Sequence, residues 1–136
     1  MSGETDLDSL LAGLDPILHE QPYGFALMPL GQALPAGLSP FALISEAEGL
    51  TVIATLDDLA TASMAPASQW ARITMMVHSA LEAVGMTAAM AGALAQAGIP
   101  ANVVAAIHHD HLFVPWPRRH DAVAALLALG SNRSVS

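Results

Sequence analysis

The chain has 136 residues, twelve acidic side chains, four arginines and a formal charge of −8, a balance that repels phosphate backbones and anionic lipid and excludes nucleic acid as a partner. Cysteine is absent, so disulfides, thiolate metal sites and a cysteine nucleophile are excluded together. Hydrophobic residues make up 54%, many of them alanine, which suits one closely packed core needing no covalent staple.

The acidic, polar start from Met1 to Asp8 lacks the basic and apolar regions of a secretory signal, and a cytoplasmic protein is expected. Residues 6–13 offer a short helix, with Asp6 or Asp8 as N-cap, Leu7, Leu10 and Leu11 on one side, and Gly13 at its end. Pro16 to His19 and Tyr23 to Met28 read as strands of a hairpin around Gln21-Pro22. Between Pro29 and Pro40 the prolines and glycines mark an irregular connection. Phe41 to Ser45 and Leu50 to Thr55 form a second hairpin, with Gly49 supplying a positive φ. Leu56 to Ser63 follows as a helix opened by Asp57 and Asp58. Met64 to Ser68, small residues around Pro66, is the expected internal boundary.

Trp70 to Val77 reads as a strand, and His78 to Gly85 as a loop. Thr87 is the expected cap of a helix running to Ala97, on which Met86, Met90 and Leu94 stack four apart and which Gly98 closes. The uncharged stretch from Ala83 to Ile107 approaches the length of a membrane span. The break at Gly98-Ile99-Pro100, with polar Thr87, Gln96 and Asn102, divides it into helix and strand instead. Asn102 to Ile107 and Leu112 to Pro115 are strands joined by a tight turn through His109-Asp110. Pro117 opens a last helix that buries Val123, Leu126 and Leu127 and ends at Gly130, before a polar tail at 131–136. The class is α+β, antiparallel strands with helices on one face.

The run Trp70 to Thr74, the segment Val77 to Ala89 and the cadence Leu94-Ala95-Gln96-Ala97-Gly98-Ile99-Pro100-Ala101-Asn102-Val103-Val104 resemble an ACT domain. With the string His109 to Pro115, they resemble an uncharacterised bacterial family carrying two ACT-like units per chain. The resemblance implies a ferredoxin-like βαββαβ fold, with an N-terminal unit at 1–65, a C-terminal ACT domain at 66–130, and the two interlocked. No apolar segment follows Leu129 to serve as the second unit's fourth strand, so the N-terminal half is expected to supply it. The resemblance also implies a homodimer and a small-molecule ligand, an amino acid first of all, held by the loop and helix start at His78, Ser79, Val84, Gly85, Met86 and Thr87, with Ile99 and Asn102 alongside. Amides at a helix N-terminus attract a carboxylate, and Gly85 would let a ligand approach the backbone.

Rival chemistry is weaker. His108-His109-Asp110-His111 contains metal-ligand types, but a tight hairpin would leave only His108 and His111 facing each other, and no further ligand can be named. A polar hairpin tip is the plain reading of that pair; a pocket wall or a weak metal site are the sharper ones. His78 and Ser79, neighbours on an extended chain, point to opposite faces and form no nucleophile and base. Asp57 and Asp58 are first-turn charges, and the methionine stripe is core. Arg118 and Arg119, at a helix start, call for a carboxylate or a ligand anion as partner. A regulatory protein without catalytic activity, metal or cofactor is therefore expected. The alternatives are an interaction module with no ligand, or a histidine-based metal-binding protein.

Overall fold

The computed structural model describes residues 6–77 and 83–134. Helix α1 (Leu7–Ala12) begins where the Asp6 carboxylate accepts from the Ser9 amide at 3.2 Å, and it buries Leu10 and Leu11. Strands β1 (Pro16–Leu18), β2 (Tyr23–Met28), β3 (Ala42–Glu46) and β4 (Gly49–Thr55) follow, then α2 (Leu56–Thr61) and β5 (Trp70–Met75). Helix α3 (Met86–Gln96), β6 (Asn102–Ala105), β7 (Asp110–Pro115), a 3-10 turn at Trp116–Arg118 and α4 (Arg119–Ser134) complete the order. Among the described residues, no helix is long and apolar enough to cross a membrane.

The chain folds into two compact units that are not sequence halves. Residues 20–70 form one, inserted in sequence into the other, which joins the chain up to His19 with everything from Ala71. In the interrupted unit, β1 pairs antiparallel with β5, β5 neighbours β7, and β7 pairs antiparallel with β6. The strand missing after the last helix is thus supplied from the N-terminus, as the sequence requires. The expected hairpin of β1 with β2 does not form. Pro16 to Leu18 instead register with Met75 to Ile73, because Leu18 joins the core that the three helices cover.

Alternation decides the two faces of this sheet. Ala71, Ile73 and Met75 of β5 and Leu112 and Val114 of β7 point into one core with Leu10, Met90, Leu94 and Leu126 from the helices. The stripe on α3 is buried as its spacing predicts, Met86 at 3% exposure and Met90 and Leu94 at 0%; each such side chain contributes about 1.5–3 kcal/mol. Helix α3 ends in a Schellman motif: Gly98 (φ 73°) donates to Ala95 at 3.0 Å and Ile99 to Leu94 at 2.9 Å, which turns Ile99 back onto the core.

Several boundaries differ from expectation for local reasons. The cap of α3 is Gly85, and Thr87 lies inside the helix. Helix α4 runs through Gly130 to Ser134, and a Cβ on Gly130 would lie 2.9 Å from the Leu11 carbonyl, so this glycine admits α1 and does not terminate α4. On α4, Ala122 and Leu126 are buried, while Leu127 is half exposed. The β6–β7 turn spans Ala106 to His109, closed by a 3.1 Å bond from the Ala106 amide to the His109 carbonyl, and Asp110 already belongs to β7.

In the inserted unit, β4 pairs antiparallel with both β3 and β2. Helix α2, capped by Thr55, covers one face through Met28, Val52, Ala54 and Leu59. Tyr23 meets Phe41 edge-on at 6.3 Å, and Phe25 meets Trp70 at 5.8 Å. The Trp70 indole donates to Ser68 at 2.9 Å.

Candidate functional site

The connection from β5 to α3 is the first candidate. His78 and Ser79 lie outside the described residues. On the helix side, Val84 is 82% exposed, and Gly85 (φ 95°) takes the left-handed conformation before Met86 turns inward. Among the described residues, no side chain caps α3, and the first-turn amides at exposed Thr87 and Ala88 have no intrahelical partner. They carry the positive end of an eleven-residue helix dipole.

Gly85 serves a different purpose from the one expected. A Cβ there would lie 3.0 Å from the Leu7 Cδ2, so the residue satisfies a positive φ and lets α1 pack, with Leu7 occupying that approach. Ile99 and Asn102 are not beside it. They follow the C-terminal end of α3, about 16 Å of helix away at 1.5 Å per residue. Ile99 is core at 3% exposure, and Asn102 is an exposed strand residue opposite Phe113. The structure therefore brings Val84, Gly85, Met86 and Thr87 together as one turn and separates them from Ile99 and Asn102.

A second cluster lies on the helix-free face of the interrupted unit. Arg72 and Thr74 alternate with the core residues of β5, as His111 does with those of β7. The His19 Nε2 lies 2.7 Å from the Thr74 Oγ1, which lies 2.9 Å from the His111 Nδ1; the Arg72 Nη2 reaches the same Nδ1 at 3.4 Å. Arginine only donates, so the His111 Nδ1 accepts, and the Thr74 hydroxyl donates to it while accepting from the His19 Nε2–H. The line then runs in one direction, from His19 through the Thr74 oxygen to His111.

Protonating His111 would put a hydrogen where two donors already point. Its pKa is lowered to about 4, by burial first and then by Arg72, His109 and His19. His19 is lowered too, by burial and then by Arg72. Both rings are neutral near pH 7. Thr74 is 5% exposed, with its hydroxyl between the two imidazoles; the line ties His19, just after β1, to β5 and β7. His19 and Arg72 escaped the sequence reading. The alternation of Arg72 and Thr74 with Ala71, Ile73 and Met75 was the available signal, whereas partners 37 and 55 residues apart leave none.

The histidine string does not assemble as a metal site. His108 is exposed in the turn, whereas His111 is buried opposite Val104, so the expected cross-strand pairing of His108 with His111 is absent. Among the described residues, no group of three or more metal-ligating side chains forms. Burial raises the Asp110 carboxyl, opposed by His109. Arg118 finds the carboxylate its position called for, pairing with Asp121 at 3.0 Å, and also donates to the Ala97 carbonyl at the end of α3 at 3.1 Å. Arg119 stacks 3.9 Å above Trp116.

Two family models, both described as ACT domain, match this chain, one over residues 2–72 and the other over 68–128. The chain belongs to the ACT-domain family. This ACT protein is 36% identical to a protein of unknown function from Vibrio cholerae, described as a possible transport protein; the alignment covers 91% of this chain and 95% of that one, with a TM-score of 0.81. A protein from Agrobacterium tumefaciens is 18% identical over 86% of this chain and 89% of its own, with a TM-score of 0.73. The ligand-free regulatory subunit of aspartate kinase from Thermus thermophilus shares the fold at 12% identity, over 84% of this chain and 95% of that one, with a TM-score of 0.64. A search of curated proteins found no match.

Proposed function

We propose that this ACT protein is a regulatory module that recognises a small carboxylate-bearing metabolite, an amino acid first of all, and carries out no reaction itself. The observation that carries this reading is the start of α3, which no described side chain caps, in a chain matched twice by ACT-domain models: the exposed first turn at Thr87 and Ala88 offers amides and a positive dipole end to a carboxylate. The shared fold with the aspartate kinase regulatory subunit supports a regulatory role. Binding acts by shifting a population, so the ligand must favour one state of the protein or of a homodimer over another.

Calorimetry with the twenty amino acids tests the reading, with Thr87→Glu as the decisive variant. A carboxylate placed there competes for the same amides and stabilises the helix by about 0.3–1 kcal/mol. Heat of binding in the natural protein, lost in a stabler variant, is the expected result. Absence of heat for all twenty, or heat unchanged in the variant, rejects it.

A second reading, an interaction module with no ligand, is favoured by Leu7 packing against Gly85. Leu7→Ala separates the two. An amino-acid affinity that appears only in this variant marks a protein whose own side chain closes the site.

A further inference from the structure

Two buried polar groups stand side by side where β7 begins. Asp110 is 9% exposed, and among the described residues no hydrogen bond or ion pair reaches its carboxylate. The Nδ1 of His109, one residue earlier, is buried and has no hydrogen-bond partner among the described residues either. A buried carboxylate without a cation is costly, and burial holds its pKa above the ordinary value, with only His109 opposing.

Alternation puts this carboxylate on the helix side of the sheet: Asp110 shares a strand face with the core residues Leu112 and Val114, whereas His111 turns to the helix-free side. Topology then carries it to the start of α3. The eleven residues of α3 span about 16 Å, the chain reverses, and β6 returns over four residues, about 13 Å, before the turn that delivers Asp110 opposite Ala105. The 2.9 Å contact of Thr74 with His111 sets the end of β5 beside the start of β7, and Met75 and Met86 share the core at this end. All of these residues belong to the interrupted unit.

We propose that Asp110 receives the ammonium group of an amino acid whose carboxylate lies on the first turn of α3, so that the site takes α-amino acids and rejects their oxo-acid and hydroxy-acid counterparts. This rests on α3 as a carboxylate site and adds the half of the ligand that backbone amides cannot read. An ammonium group has three donors and no acceptor, which matches a carboxylate beside an imidazole nitrogen that accepts when the ring carries its proton on Nε2. A hydrogen bond between ionised partners is also about twice as strong as a neutral one. A metal ion fits less well, because among the described residues no third ligating side chain joins these two.

The test uses the full chain labelled with 13C and 15N and three probes at constant pH and ionic strength: methylammonium, acetate and glycine, which are the ammonium half, the carboxylate half and the common core of every α-amino acid. Methylammonium should move the Asp110 Cγ signal saturably, with sodium as the control cation, and acetate should move the Thr87 and Ala88 amides. Glycine should move both sets with one affinity and lower the pH at which Asp110 titrates, since a bound cation favours the carboxylate. Asp110→Asn keeps the shape and removes the charge; it should weaken glycine by about tenfold or more, read at the Ala88 amide, and leave acetate unchanged. No saturable methylammonium shift at Asp110, a sodium shift of the same size, or glycine affinity unchanged in Asp110→Asn overturns the proposal. Acetate that leaves Thr87 and Ala88 unmoved rejects the carboxylate site on α3 instead, so the two failures are read at different atoms.

Discussion

Acid should weaken this protein through His111 in a way that a single substitution removes. In the unfolded chain the ring titrates at its ordinary value of 6.5, and in the folded chain at about 4, so between these limits only the unfolded chain gains the proton. The contribution is therefore complete above 6.5 and is lost progressively as the pH falls towards 4. Over the whole interval it amounts to about 3 kcal/mol, at about 1.4 kcal/mol per tenfold change. His19, also lowered, adds a loss of the same sign.

His111→Gln keeps an amide that can accept from Thr74 and removes the titration. Urea unfolding at about pH 7.5, 6.5, 5.5 and 4.5 gives the comparison. The natural protein should be more stable than the variant by about 1 kcal/mol at the highest pH, the value of the better-placed hydrogen bond. That difference should move by about 2–3 kcal/mol in favour of the variant by the lowest pH. Carboxylates, Asp110 among them, titrate in both proteins and cancel from the difference. A stability difference that stays constant across the four pH values refutes the directed line His19–Thr74–His111.

Two further substitutions test the inserted unit. Ser63→Gly relieves a left-handed residue at the end of α2 and should raise stability by about 0.5–1 kcal/mol, seen as a higher Tm; an unchanged or lower Tm contradicts the strain. Gly24→Ala places a Cβ 2.6 Å from the Pro66 Cβ and should cost about 1–3 kcal/mol, with Pro66→Gly in the same chain restoring most of the loss. Unfolding curves that show no rescue would mean that another contact at Gly24 decides the cost.

Most elements were legible because their causes are local. Asp6 caps α1, Asp57 and Asp58 open α2, and Met86, Met90 and Leu94 recur at the helical period that buries one stripe. The candidate site was legible only in its helix-start portion. Asn102 was expected beside Gly85 because the ACT resemblance put both at one ligand, yet the eleven residues of α3 stand between them. Gly85 and Gly130 show the same limit. Sequence marks a glycine as special, but here the reason is a neighbour, Leu7 in one case and the Leu11 carbonyl in the other, that only packing brings close.

Taken alone, the amino-acid order determined the α+β class, the cap of α1 and the buried stripe of α3, the second hairpin, and the need for a strand borrowed from the N-terminal part. Tertiary structure decided which strand answers that need, which polar side chains meet on the helix-free face, and that Asp110 and His111 belong to β7. Periodicity and capping act over a few residues and leave a local signature. Strand partners and buried hydrogen-bond partners are chosen by burying one face of the whole sheet, an energy that no short segment carries by itself.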